Sequence, residues 1–424
     1  MNGAVYLAEL GLVLGIAYLV GCAVYSLLFH PLRRFPGPLF YRVSLLPRAW
    51  YHMNGTLPFR VSELHKRYGP VVRIGPDELA FCSPQAWRDI YGHKKGQSDL
   101  PKFPGFYRVF GDAPMSIFDA TSERHAMLRR PLAQGFSDRS MHEQAPIIGG
   151  YVDLLVSRLR AAVQKSSRQD VRNWYNWTTF DLIGDLSFGV EGGFGCLERT
   201  DNHPWIQLIM SAVRQSAMMR ALSRLGFKQA VIWVSKLSMS ADNQHRAIVY
   251  QKVGQRLQGG KRSDFMEGLI SHKEELGLTQ ELLTVNASVL IFAGSETTAT
   301  ALCGVTYFLT THPEILKKLE QEVRSAFKSD DEITLTSVSK LSYMLACLDE
   351  SLRCYPPVAT GFPRQVPEGG VMIDGKFVPQ GTVVSVFQWA VNHDEYFWTE
   401  PELFAPERWL GDPKYKDDQF GKRL

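Results

Sequence analysis

The chain has 424 residues, 45% hydrophobic and 21% charged, which excludes a disordered, collagen-like or coiled-coil chain and leaves a large globular protein. Lys and Arg number 47 against 43 Asp and Glu. A net charge of +4 at this length, with no dense basic stripe, is no nucleic-acid footprint, so no nucleic-acid partner is expected.

From Leu10 to Phe29 the sequence runs for twenty residues without a charge, enough to cross a hydrocarbon layer as a helix. Glu9 is the only charge before this run, and Arg33, Arg34, Arg42 and Arg48 follow it. That asymmetry predicts a retained anchor over residues 1–30 with the body in the cytosol. A cleaved signal would want a basic start and a shorter apolar run. Phe35-Pro36-Gly37-Pro38 must stop the helix. Residues 31–40 therefore read as a stiff hinge and residues 41–424 as the body.

Within the body, Ser62 to Tyr68 reads as helix. Val71 to Ile74 and Glu78 to Cys82 read as strands around a Gly75-Pro76-Asp77 turn. Residues 92–118, rich in Gly, Pro and aromatics, read as a long loop, a kind of segment that is often functional. Residues 121–330 read as mostly helical, with Ile147–Gln164 and Leu282–Thr311 as clear segments and Gly259-Gly260 as a break. Period-two stretches return at 371–387 around an Asp374-Gly375 turn, the signature of a hairpin. Residues 400–424 read as loop-rich. The predicted architecture is mainly α with a small β-rich part built from both ends of the chain.

Three motifs carry chemistry. Ala293-Gly294-Ser295-Glu296-Thr297-Thr298 places an acid and two hydroxyls inside the apolar helix, which is costly unless they bond to something. Thr hydroxyls can bond the carbonyl one turn back, and Gly294 admits a close neighbour, so the motif reads as a notch with a proton source. Glu350-Ser351-Leu352-Arg353 places a carboxylate and a guanidinium on one helix face. Pro406-Glu407-Arg408 follows 55 residues after Arg353. The six cysteines, Cys22, Cys82, Cys196, Cys303, Cys347 and Cys354, are scattered, which argues against a disulfide framework or zinc finger and for a reducing compartment.

The order of anchor, Pro-Gly hinge, acid-Thr helix, E-x-x-R and P-E-R resembles a microsomal cytochrome P-450 of the fungal secondary-metabolism type, a haem-thiolate monooxygenase. The resemblance covers essentially all of residues 1–415 and implies the cytochrome P-450 fold. It also implies haem b, O2, electrons from NADPH through a membrane-bound flavin reductase, and a location at the endoplasmic reticulum membrane with a cytosolic catalytic domain. It assigns proton delivery to Glu296 and Thr297, and a buried structural cluster to Glu350, Arg353 and Arg408. His125, Arg129 and Arg364 become haem propionate partners. A hydrophobic small-molecule substrate is expected against Phe103, Phe106, Phe110, Ile117, Ile291, Phe292 and the turn Ala359-Thr360-Gly361-Phe362. Lys94, Lys95 and Arg130 become candidates for the reductase-facing patch, and Leu222–Leu237 either meets the membrane or packs as a helix. The family's F-x-x-G-x-R-x-C-x-G motif, which carries the axial cysteine, belongs roughly thirty residues after P-E-R. Leu424 is reached first, so no axial cysteine is expected in these residues. The competing expectation is a non-catalytic relative that binds a ligand or partner.

Overall fold

A computed structural model of the chain describes residues 2–93, 99–108, 114–189, 193–238 and 240–418. The first helix, α1 (Asn2–Val24), continues as a wider turn over Tyr25–Phe29 and stops at His30, where Pro31 opens a short 3-10 turn. Its stretch Glu9–Phe29 is long and apolar enough to cross a membrane, and Leu12, Leu14 and Leu19 stand exposed on it.

The hinge is pinned rather than free. The Pro36 carbonyl accepts Arg73 N–H at 2.7 Å. Gly37 lies so close to the Arg73 carbonyl that a side-chain carbon there would collide with it. The Arg73 side chain is fully buried. It donates to the Ser26 carbonyl at 3.0 Å, to Ser26 Oγ at 2.9 Å and to the Pro76 carbonyl. Ser26 Oγ in turn donates to the Arg42 carbonyl at 2.5 Å. The apolar helix is thus bonded to the sheet at its body end.

That sheet joins both ends of the chain. Strands β1 (Val71–Gly75) and β2 (Glu78–Phe81) form an antiparallel pair. Late in the chain come β3 (Arg364–Gln365), β4 (Val371–Ile373), β5 (Lys376–Val378) and β6 (Val383–Val386). The larger sheet has the order β1-β2-β6-β3, with β6 parallel to β2. β1, β2 and β6 are buried throughout, which is why they read as near-continuous apolar runs. β4 and β5 form the separate hairpin, and its turn residues Asp374 and Gly375 both have positive φ, as a type I′ turn requires.

The rest is helical. In chain order the main helices are α2 (Leu57–Tyr68), α3 (Ser122–Gln134), α4 (Asp138–Lys165), α5 (Val171–Phe188), α6 (Pro204–Leu222), α7 (Ser240–Gln258), α8 (Gln280–Thr311), α9 (Pro313–Ala326), α10 (Ser342–Cys354) and α11 (Gln388–Asn392). Their starts follow from local chemistry. Ser137, Asp170 and Thr279 cap α4, α5 and α8 with side-chain oxygens, and prolines open α6 and α9. α8 runs through the middle of the body against α5, α7 and α10. Leu283, Ala287 and Ile291 of α8 share a core with Trp177, Phe180, Ile183 and Trp205. A second core under the sheet gathers Leu32, Ile74, Leu79, Phe81, Phe387 and Trp398.

Two expectations change here. α8 is unbroken, and the open side of Gly294 receives Ile183 of α5, whose Cδ1 lies 2.6 Å from where a side chain would start. The glycine is a helix-crossing point, not an opening for a ligand. The stretch Leu222–Leu237 is not one helix: Gly226, at φ 99°, breaks it between α6 and Lys228–Ser238, and it leaves Phe227 and Trp233 exposed.

Candidate active site

Glu350, on α10, accepts five hydrogen bonds. One carboxylate oxygen accepts Arg353 Nη2 at 2.8 Å, Arg408 Nε at 2.9 Å and the Ala405 N–H at 2.9 Å. The other accepts Arg353 Nε at 2.8 Å and Trp409 Nε1 at 3.0 Å. Arg353 spends its remaining donors on the carbonyls of Asn392, Pro401 and Leu403. All three charged residues are essentially buried. Sequence reasoning named these three and missed the fourth. Asp418 accepts Arg408 Nη1 at 2.6 Å and the Thr399 N–H at 2.7 Å, so two carboxylates balance two guanidiniums. The cluster locks α10 to the loops before and after Pro406.

Beside α10, α8 meets an open cleft of about 380 Å³ lined by Trp87, Tyr91, Thr297, Leu352, Val358 and Phe362 among others. Thr297 Oγ1 donates to the Ala293 carbonyl at 2.5 Å. Glu296 is half-buried, and burial raises its carboxyl above the ordinary range. No hydrogen bond ties it to another described residue. A larger cleft of about 800 Å³, lined by His65, Cys82 and Asp394, lies away from α8 and contains none of the motif residues.

Several pocket expectations are corrected. Ile291 is completely buried in the helical core, while Phe292 next to it is exposed. The extended segment after α10 turns Val358, Thr360 and Phe362 to the cleft. Ala359 and Gly361 fall between them. The Ala359 carbonyl accepts Trp389 N–H, and a side chain on Gly361 would meet the Val386 carbonyl at 2.7 Å. Ile117 is half-buried, with its N–H bonded to the fully buried Asn286 of α8 at 2.9 Å. Phe103 precedes a short helix, Pro104–Tyr107, and Phe106 lies within it. Phe110, Lys94 and Lys95 lie outside the described residues.

A cluster of cations stands nearby. His125 and Arg129 lie on α3, His125 half-buried and Arg129 exposed, with Arg130 exposed beside it. Burial lowers the His125 imidazole, and the charges of Lys102, Arg129 and Arg364 lower it further. Arg364 donates to the Tyr107 hydroxyl at 2.9 Å and stacks on the Tyr91 ring at 5.4 Å. Lys102 was not singled out from the sequence. It pairs through the backbone with Arg364 and donates to the Phe118 carbonyl at 2.7 Å. Burial, with Arg364 beside it, pulls its ammonium down to about 8. Three cations thus face one another beside an imidazole whose pKa is lowered, and among the described residues Asp119 and Asp99 are the counter-charges in range. An acidic group with two carboxylates would be complementary to them.

The donor set can be tested against haem on these grounds. The cation cluster suits its propionates, and the cleft beside Thr297 suits one face of the ring. The axial thiolate is a different matter. No described cysteine lines the cleft. Burial pushes Cys196, Cys347 and Cys354 up to about 12, and it raises Cys82 and Cys303 as well. These are packed thiols, not poised thiolates. The residues fit the group on its distal face and at its edge, and no cysteine here supplies the bond to iron.

The family profile described as Cytochrome P450 matches residues 36–421. Among similar proteins is cytochrome P450 monooxygenase tpeC of Talaromyces stipitatus, 46% identical over 417 residues, which cover 97% of this chain and 82% of that protein. Cytochrome P450 monooxygenase prhB of Penicillium brasilianum is 40% identical over 409 residues, covering 96% and 83%. Cytochrome P450 monooxygenase aclL of Aspergillus oryzae is 38% identical over 418 residues, covering 97% and 85%.

Proposed function

Because this chain belongs to the cytochrome P450 family, we propose that it is a membrane-anchored monooxygenase that oxidises a hydrophobic small molecule in fungal secondary metabolism. Its relatives carry the name monooxygenase, so the oxidoreductase class comes with the kinship. The observation that supports the finer reading is the pairing of Thr297, at an open apolar cleft, with a half-buried Glu296 one residue before it.

In this reading haem b supplies oxygen activation when bound, with electrons from NADPH through a flavin reductase. The chain's residues bind and orient. Arg129, Arg364 and Lys102 hold the propionates, with His125 beside them. Glu296, its carboxyl raised by burial, holds a proton more tightly than an exposed carboxyl does, and the Thr297 hydroxyl relays it at the edge of the cleft. Glu350, Arg353 and Arg408 keep α10 and the following loops in register. Phe106, Ile117, Phe292, Val358 and Phe362 shed water from the substrate space. The apolar helix anchors the body to the cytosolic face of the endoplasmic reticulum membrane, with Pro36 to Pro38 as the connection. A second reading is a ligand-binding relative without oxygen chemistry. NADPH- and O2-dependent product formation in microsomes from cells expressing the native gene separates the two. Dioxygen incorporation supports the first reading, and ligand binding without turnover supports the second.

The cation cluster gives a pH test. Lys102 titrates near 8 in the folded protein, below its ordinary value of 10.5. A bound carboxylate raises that value, so above pH 8 binding must take up a proton. Haem affinity is therefore expected to hold from pH 6.5 to 7.5 and to fall above 8, by up to about tenfold per pH unit. Absorbance titration across this range measures it, and Lys102→Arg, always charged, should flatten the fall. An unchanged slope in that variant removes Lys102 from the site.

A further inference from the structure

Arg48 and Arg224 meet at the β1–β2 turn, which provides two carboxylates. Arg48, on the helix Leu46–Met53, pairs with the buried Glu78 at 2.6 Å. Arg224, in the turn Ser223–Phe227, pairs with Asp77 at 2.6 Å and approaches Glu78 at 3.9 Å. Arg220, one helical turn earlier on α6, pairs with no carboxylate among the described residues. It is half-buried, its guanidinium lies 4.9 Å from the Phe106 ring centre, and no described residue accepts a hydrogen bond from it. Burial lowers its pKa, and the only opposing influence is the Tyr107 phenol. A ring face attracts a cation but leaves all five N–H donors of a guanidinium unbonded. A half-buried cation whose donors meet no described acceptor is complementary to an anionic partner.

Arg220 also connects to the cleft through aromatic rings. Phe106 touches Tyr107 at 5.0 Å between ring centres, Tyr107 touches Phe118 at 5.0 Å, and Phe118 approaches Phe362 at 6.3 Å. Phe362 and Thr297 line the same cleft. The rings are contiguous from the guanidinium to the cleft, with the Tyr107 hydroxyl bonded to Arg364 along the way.

We infer that Arg220 is the anion receptor of this site, and that its substrate is an apolar molecule with one carboxylate at the end remote from the carbon presented to Thr297. The placing of the reacting carbon rests on the monooxygenase reading. The binding of the acid end does not.

The test is calorimetry on the full chain in phosphatidylcholine nanodiscs, titrated with matched pairs: dodecanoic acid and methyl dodecanoate, 2-naphthoic acid and methyl 2-naphthoate. In the unaltered protein each acid should bind about tenfold tighter than its ester or better, the margin expected of a charged hydrogen bond. The ratio should fall to near one in Arg220→Met and recover in part in Arg220→Lys, with unchanged thermal midpoints in both. Equal binding of acid and ester by the unaltered protein, no binding of either acid, or a preference that survives in Arg220→Met overturns the inference. So does an Arg220→Met variant that weakens only adsorption to phosphatidylserine-containing vesicles, which would make the anion a lipid headgroup. A variant that unfolds while Arg220→Lys folds without any acid preference counts against it too. The titration needs no turnover, so failure of the microsomal assay with the acid preference intact would count against the proposed function alone.

Discussion

Glu350→Gln is expected to cost about 3–5 kcal/mol of stability, the usual penalty for breaking a buried ion pair by removing one partner. Five donors converge on the Glu350 carboxylate. A glutamine keeps one acceptor oxygen and turns an amide N–H2 towards the rest. Arg353 then faces only backbone carbonyls and the Cys354 sulfur, and Arg408 keeps Asp418 as its one anion. Set against a total stability of about 5–15 kcal/mol, such a loss leaves little folded protein at growth temperature. The readouts are yield of membrane-extracted protein and its thermal midpoint. Asp418→Asn should fall in between, because asparagine keeps an acceptor oxygen for the Thr399 N–H and Arg408 also donates to the carbonyls of Thr399 and Glu400. Lys318→Met is the control: its pair with Glu407 is exposed, and such pairs contribute about 0–1 kcal/mol. A Glu350→Gln protein as stable as Lys318→Met would show that the cluster is not what holds α10 to the final loops.

Thr297→Ala should leave the fold intact and spoil the chemistry. The hydroxyl makes one described hydrogen bond, to the carbonyl a turn earlier on its own helix, and alanine is the better helix former. What is lost is the only hydroxyl lining the cleft on α8. In the haem-loaded native enzyme, O2 and NADPH consumption should continue while product per O2 falls about tenfold or more, within the range of a lost proton-transfer group. Thr297→Ser should restore most of the coupling. An oxygen electrode with product quantification decides it. Unchanged coupling in the alanine variant would remove Thr297 from proton delivery and leave Glu296 to be tested alone.

The fold was largely legible because its signals are local. The apolar helix, the Asp374-Gly375 hairpin and the helix caps are written into neighbouring residues. The Glu350, Arg353 and Arg408 cluster was legible through the resemblance, not through spacing, since acid and arginine three apart are common. Asp418 stayed hidden because it sits in a run of polar residues, Lys414 to Asp418, that looks solvated, and only the Thr399 N–H and Arg408 draw it inward. The facing of α8 was illegible for another reason. The helix is apolar on nearly every side, so no stripe says whether Ile291 or Phe292 turns to the core. In the segment after α10 the alternation is plain, but its phase is set by contact with β6 and α11, hundreds of residues from the loop it faces. Lys102 and Arg220 are single cations in ordinary surroundings, and their meaning comes only from what the fold places, or fails to place, beside them.

Arg73 bears on how the protein could be handled. Two of its bonds go to Ser26, within the apolar stretch Glu9–Phe29, and among the described residues its other side-chain bonds go to the Pro76 carbonyl. A version trimmed at Val24 for soluble expression would keep both partners, whereas one trimmed at Phe35 would strip them and bare a guanidinium at the base of the sheet. A transplanted anchor would likewise have to end in a residue that offers a hydroxyl where Ser26 now stands. The apolar segment, by this measure, is partly an internal ligand of the body that follows it.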